Sequence, residues 1–326
     1  MTDERVPTTG PACPLCHQRM RSWMRIPADW RRPEIETSFQ LYWCDADSYG
    51  CVWPYPSADE ISAAYVLPEY YTHSRTGDQD DGRTRGVLER LRTNIAWRAD
   101  HGEPITADYL HQRYGPSPLT ICEIGCGNGR LLSELAAKGH STYGVEPDPA
   151  ALVVAATGDS RVVGGNAENL PTGLPYGDCD LVVFKHVLEH CMSPLSALRG
   201  ARRLLKPSGV LLCEVPNNSA RGLQQSGIAW HWLDVPRHLH FFTSESLSSF
   251  CARAELQVET TSFAGYSRQF DRNWIRKEDE IRARFRAVDP SFSEKSATWQ
   301  LLLSTLFAAP TAKYDSVRVE ARLSAE

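Results

Sequence analysis

The sequence predicts an α/β protein built on an open, mostly parallel sheet with helices on both faces, and three observations carry that prediction. The apolar run Ile121-Cys122-Glu123-Ile124 breaks into Gly125-Cys126-Gly127-Asn128-Gly129 and then resumes as a helical pattern through Leu131, Leu132, Leu135 and Ala136. A second apolar segment, Tyr143-Gly144-Val145-Glu146, ends in a carboxylate, where nucleotide-binding sheets place an acceptor for ribose hydroxyls. Near the C-terminus, the segments 256–263 and 316–323 both alternate with period two, as strands do.

Length and charge fit such an architecture. The 326 residues suffice for one substantial core and a small accessory module. A net charge of -5 with 23% charged residues gives no global attraction to nucleic acid or anionic membrane. The chain has no uninterrupted apolar run of about 18 residues, and Met1-Thr2-Asp3-Glu4-Arg5 has neither a basic nor an apolar leader region, so a cytoplasmic protein is expected. Six of the ten cysteines (Cys122, Cys126, Cys179, Cys191, Cys213, Cys251) sit in or beside apolar runs, which predicts buried free thiols there.

The other four cysteines define a first module over 1–56. Cys13-Pro14-Leu15-Cys16 is a knuckle that presents two thiolates to one metal, and Cys44 and Cys51 follow far enough downstream to complete a tetrahedral site after a hairpin. Zinc is the expected ion, with Cys51, Asp47 and His17 all open as fourth ligand. Four protein ligands leave no position for substrate, so its role is structural; a module of this size also needs such a staple. Residues 57–117 then form a helical linker and cofactor cover. Ser57 to Glu60 has the capping-box pattern, Thr76 to Arg83 is a polar loop, and Val87, Leu88, Leu91, Ile95 and Ala96 have helical spacing against the main domain.

The main domain, 118–326, opens with the glycine turn. Gly125 and Gly127 permit a tight turn and close approach of a ligand, and Gly129 begins a helix whose first amides are unpaired donors. A dinucleotide fold spaces its glycines as Gly-x-Gly-x-x-Gly, but residue 130 is Arg and the spacing here is Gly-x-Gly-x-Gly. Glu123 followed by these glycines resembles the first motif of class I S-adenosylmethionine (SAM) methyltransferases. The later landmarks of that family come in order: Glu146-Pro147, Gly165-Asn166-Ala167-Glu168, Asp178 through Phe184-Lys185-His186, and the Lys206-Pro207-Ser208-Gly209 turn before Val210 to Asn217. The resemblance implies a Rossmann-like, doubly wound seven-stranded sheet with an antiparallel last strand, preceded by a small zinc-ribbon-like module. It also implies SAM contacts from Glu123, Gly125, Cys126, Gly127, Gly129, Glu146, Pro147, Asn166, Ala167, Glu168, Lys185 and His186, and an aromatic cover, for which Tyr70 and Tyr71 are candidates. Asn166 stands where the family usually has Asp.

Acceptor chemistry is expected after the fifth strand, because ligands of open α/β sheets sit beyond the carboxyl ends of the strands. The segment 230–243 gathers His231, His238 and His240 with Asp234 and Arg237 among aromatics. Its part from Asp234 to Leu247 resembles small-molecule methyltransferases related to ubiquinone-pathway and deoxysugar enzymes, which implies methylation of oxygen or activated carbon. Proton removal from the acceptor suits a histidine: His238 first, His240 second and His186 third, with activity rising with pH through the imidazole range. The competing reading has His238 shape the loop while Arg237 and Asp234 lock it. Residues 266–312 are long enough for a helical lid, although the charges from Arg268 to Glu280 read more simply as a solvated helix. A nucleic-acid methyltransferase using the cysteine module for recognition is the alternative function, favoured by Arg19, Arg21, Arg25, Arg31 and Arg32.

Overall fold

The computed structural model describes residues 10–32, 37–65, 86–115, 117–155, 160–292 and 297–324. Tyr70, Tyr71 and the polar loop 76–83 lie outside these residues. Two sheets organise the chain. The first collects β1 (Arg21–Ile26), β2 (Phe39–Cys44) and β3 (Tyr49–Val52). The second contains β4 (Thr120–Ile124), β5 (Ser141–Glu146), β6 (Arg161–Gly164), β7 (Cys179–Lys185) and β8 (Leu205–Pro216). Downstream, β9 (His240–Phe241) joins the first sheet, while β10 (Leu256–Ala264) and β11 (Ser316–Leu323) join the second.

The second sheet has the order β10-β11-β8-β7-β4-β5-β6. Strands β4 to β8 pair in parallel, and β11 runs antiparallel between β8 and β10. The seven strands and the antiparallel last strand are therefore as the resemblance implied. Burial of 121–124, 181–184 and 209–216 in β4, β7 and β8 follows from helices covering both faces of a parallel sheet, which is why these stretches read as largely apolar runs. Strand order reverses between β4 and β7, so their carboxyl ends open the crevice in which a ligand binds.

Local chemistry sets the helix starts around that crevice. Gly129 is left-handed, with φ 70°, and begins the helix Arg130–Ala136, which buries Leu132 and Leu135. Ser193 caps Pro194–Leu204 by accepting from the Ser196 amide, and Ala197, Leu198, Ala201 and Leu204 form its buried stripe. Thr243 and Ser246 make a reciprocal capping box at the start of Ser244–Arg253. The expected box at Ser57 and Glu60 also forms, through the Glu60 amide to Ser57 Oγ at 3.2 Å and the Ser57 amide to Glu60 Oε2 at 2.8 Å.

Three packing results differ from the sequence reading. In the helix Val87–Ala99 only Arg92 and Ala96 are buried, whereas Val87, Leu88 and Leu91 are exposed, because this helix meets the turn Ser267–Phe270 along a narrow face. The helix Arg272–Val288 is solvated on one face, with Arg276, Asp279 and Glu280 exposed as expected, but Glu278 and Arg282 are buried as a pair on the other, and Glu278 also accepts from Trp274 Nε1 and Ser226 Oγ. Arg268, just before it, is bound to the buried Asp315.

The third result concerns the first sheet. Strand β9 adds antiparallel to β3, pairing Gly50 with Phe241 and Cys51 with His240, so the N-terminal strands and the segment after β8 share one sheet. Side chains tighten the junction. Tyr49, Phe242 and Phe250 form an aromatic cluster, and the Tyr49 hydroxyl is hydrogen-bonded to His240 Nδ1.

Candidate active site

The glycine turn folds back onto β5. The amides of Gly125 and Cys126 both donate to the Val145 carbonyl, at 2.7 and 3.2 Å, and Gly127 N donates to Glu146 Oε2 at 2.7 Å. Gly125, Gly127 and Gly129 all have positive φ, at 69°, 53° and 70°. At Gly125 a Cβ would also lie 2.5 Å from Val187 Cγ2, so no side chain fits between this turn and the loop after β7. The second oxygen of Glu146 accepts from Asp148 N at 2.9 Å, and its carboxyl is raised by burial against these two amide bonds.

Glu123 supplies the clearest test of whether SAM fits. It is buried, and its Oε2 has no hydrogen-bond partner among the described residues. Burial pushes it up to about 8, with Lys185 pulling down and Glu146 pushing up. The unpartnered Glu123 Oε2 near the carboxyl end of β4 fits an ammonium such as that of SAM, and the left-handed glycines of the turn fit close backbone approach. Lys185 Nζ bonds the Ile105 carbonyl at 3.1 Å. Asn166 and Glu168 serve the local chain, as Asn166 Oδ1 accepts from Asn169 N at 2.8 Å and Glu168 Oε1 accepts from Met192 N at 2.6 Å.

Beyond β7 lies a buried ionic and aromatic cluster. His186 is left-handed, with φ 54°, and its Nδ1 and Nε2 lie 3.3 Å from Glu189 and Glu214 respectively. These are ion-pair contacts without aligned hydrogen bonds, since among the described residues both ring nitrogens and both Glu189 oxygens have no hydrogen-bond partner. Burial lowers the imidazole pKa, but the two carboxylates outweigh it, and His186 stands above its ordinary range. Burial opposes ionisation of Glu214, yet His186, Arg318 and Arg268 bring it down to about 2. The His186 ring stacks on Trp232 at 4.6 Å, and Arg268 lies over the same indole.

The other two candidate histidines have different surroundings. His238 Nδ1 donates to the Trp232 carbonyl at 2.7 Å, which fixes the tautomer and leaves Nε2 as the acceptor. Its ring meets His190 edge to face at 4.5 Å, and burial, helped by His190, lowers its pKa to about 4. His240 points to the junction of the two sheets, bound to Tyr49 and surrounded by Tyr55 and Phe242; burial brings it to about 4 as well. Glu189, Glu214 and Trp232 were not singled out from sequence. The His186 to Glu189 spacing of three was the one available signal, whereas Glu214 reaches the site from another strand.

In the N-terminal module, Cys13, Cys16, Cys44 and Asp47 present ligand atoms that all lie within 4.8 Å of one another. Asp47 Oδ2 is 3.1 Å from Cys13 Sγ and 3.3 Å from Cys44 Sγ, and the thiols of Cys16 and Cys44 are 3.6 Å apart. Three thiols and one carboxylate suit tetrahedral zinc. Cys51, expected in the cluster, is placed elsewhere: it lies within β3 opposite Tyr42, with its thiol 3.9 Å from Met20 Sδ. The turn between β2 and β3 brings Asp47 to the knuckle instead, and His17 is not in the cluster.

This sheet order, the glycine turn against Val145 and the acidic residues Glu123 and Glu146 define a SAM-dependent methyltransferase. A methyltransferase-domain family profile matches residues 98–261, half of the chain, and the protein belongs to that family. It is similar to the ubiquinone biosynthesis O-methyltransferase of Pseudomonas paraeruginosa, 27% identical over 170 residues, or 48% of this chain and 72% of that protein. The enzyme of the same name from Xanthomonas oryzae pv. oryzae is 26% identical over 201 residues, 57% of this chain and 83% of the other. Among solved structures, the 1,6-didemethyltoxoflavin-N1-methyltransferase of Burkholderia thailandensis superposes with a TM-score of 0.45 and 14% identity, covering 88% of this chain and 96% of that one. No helix among the described residues is long and apolar enough to cross a membrane.

Proposed function

We propose that the protein methylates oxygen or an activated carbon of a small molecule, with His238 as general base. The observation that carries this is the anchored imidazole. With Nδ1–H held on the Trp232 carbonyl beside Glu189 and His190, the His238 ring is neutral at neutral pH and its Nε2 carries the lone pair, whereas two carboxylates hold His186 above its ordinary range and His240 is tied to Tyr49. Bound SAM supplies a methyl group on a sulfonium and leaves as a neutral thioether. The protein's part is to hold the acceptor in line and to take its proton at His238 Nε2. His186, Glu189 and Glu214 form a fixed array of charge beside Trp232, against which the acceptor is oriented.

The cofactor residues in this reading are Glu123 for the ammonium, Glu146 for the ribose, and Gly125 to Gly129 for close backbone approach, with Pro147, Asn166 and Ala167 lining the adenine side. Zinc, held by Cys13, Cys16, Cys44 and Asp47, is structural. Of the five arginines that favour the nucleic-acid alternative, Arg31 and Arg32 are partly buried on Asp234 and the Ala63 carbonyl, whereas Arg19, Arg21 and Arg25 are exposed, so that alternative is left to the test below. Pooled small acceptors incubated with labelled SAM test the substrate class, and His238→Ala should reduce the resulting turnover about 100-fold while leaving SAM affinity intact. Full turnover in that variant removes His238 as the base. Transfer of label to RNA, with binding that weakens steeply in salt, removes the small-molecule reading.

A further inference from the structure

The loop that carries His238 has little regular structure of its own, so something must fix its imidazole. Arg237, next to it, is completely buried, and its guanidinium does not face the crevice. Its Nη2 donates to Asp29 Oδ1 at 2.6 Å and its Nη1 to Asp29 Oδ2 at 2.9 Å, a two-pronged grip from the N-terminal module. Nη2 also reaches Asp234 Oδ1 at 2.9 Å, and Nη1 reaches the Ala64 carbonyl at 3.1 Å. Asp234 in turn accepts from Arg31 Nε at 3.0 Å and Trp30 Nε1 at 3.1 Å, again from the module.

The gripped residues are those that close the histidine loop. His238 N donates to the Asp234 carbonyl at 2.9 Å, and the Arg237 carbonyl accepts from His190 Nδ1 at 2.9 Å. Leu239 then bridges the two parts of the molecule, its amide donating to the Glu189 carbonyl at 2.8 Å and its carbonyl accepting from Val52 N at 2.9 Å. Residues 29–31, 52 and 64 thus anchor this loop from the N-terminal part of the chain, while Glu189 and His190 anchor it from the main domain.

We propose that Asp29 and Arg31 of the N-terminal module are positioning residues for the methyl-transfer step, holding Arg237 and Asp234 so that His238 keeps one tautomer and one orientation. This rests on the reading of His238 as the base. The module is then part of the catalytic apparatus and not a separate recognition device. A neutral residue at 29 leaves the buried Arg237 guanidinium with half its counter-charge, and the loop must shift to solvate it. A displacement of about 1 Å is enough to cost on the order of 100-fold in rate.

Nitrogen-15 NMR of labelled histidines in the full chain reads the effect without any acceptor, with His238→Ala identifying the signals. In the parent, His238 should be the Nδ1–H tautomer and titrate near 4, facing His190, Glu189 and Asp234. In Asp29→Asn the tautomer should become mixed and the midpoint move by a pH unit or more toward the ordinary 6.5, with affinity for S-adenosylhomocysteine unchanged and turnover on the acceptor pool about 100-fold lower. Arg31→Ala, at a partly exposed side chain, should do the same more weakly and decides the matter if Asp29→Asn does not fold. An unchanged tautomer and midpoint in the folded variants overturn the proposal. If His238→Ala retains turnover while Asp29→Asn still disturbs the His238 signals, the base assignment fails, and with it the role of Asp29 and Arg31 in methyl transfer, although they still hold the loop.

Discussion

Binding of SAM at pH 7 should expel close to one proton from Glu123. Burial holds this carboxyl at about 8 in the free protein, so at pH 7 the protonated form exceeds the ionised one about tenfold. An ammonium beside it favours the carboxylate, as an opposite charge does for any buried acid. Protons and SAM therefore compete. Affinity should climb as pH rises, by at most about 1.4 kcal/mol per unit, or about 50-fold between pH 6 and 8, and level off above that. Calorimetric titration at pH 7 in two buffers of different protonation heat gives the number released, expected at about 0.9. Glu123→Gln should release none, and its affinity should be nearly independent of pH over the same range. A parent protein that binds SAM with no proton release, or a Gln variant that still releases one, would refute the assignment of Glu123 to the ammonium.

At saturating SAM, turnover should be flat above about pH 5 as far as His238 is concerned and should fall as pH drops through about 4, because only the neutral ring accepts a proton. A pH–rate profile with its midpoint near the ordinary 6.5 would contradict the burial seen here. Protein prepared without chelator should contain about one zinc per chain by elemental analysis; Cys16→Ser and Asp47→Ala should lower that content, and Cys51→Ser should leave it unchanged. Gly125→Ala should cost about 1 to 3 kcal/mol through its left-handed backbone and the collision with Val187, seen as a lower melting temperature and weaker SAM binding.

The parts of this fold encoded within short stretches were legible in the sequence. Gly125 to Gly129 announce a turn because few other residues tolerate their backbone, and the apolar runs at β4, β7 and β8 follow from burial on both faces. What depended on distant partners was not. Cys51 matches a ligand by residue type, yet its register in β3 turns it toward Met20, while Asp47 sits in the turn that meets the knuckle. His240 attracted attention as an imidazole two residues from His238, but the pairing of β9 with β3 turns it to Tyr49. The charge run after Arg268 looked solvated because nothing in its own helix reveals Ser226 or Asp315, the groups that receive Arg282 and Arg268.

The two-residue strand β9 also bears on how the chain can be made or cut. Until residue 241 has been synthesised, Tyr49–Val52 is an open sheet edge whose partner lies about 190 residues downstream, as the Tyr49–His240 separation of 191 shows. A fragment ending near residue 57 would keep that edge unpaired permanently and expose the ring of Tyr49, which is fully buried in the whole protein. Such a fragment should associate through its edge instead of remaining monomeric. For expression or crystallisation, the N-terminal strands therefore belong in the same polypeptide as the histidine loop, and a chain break is better tolerated elsewhere.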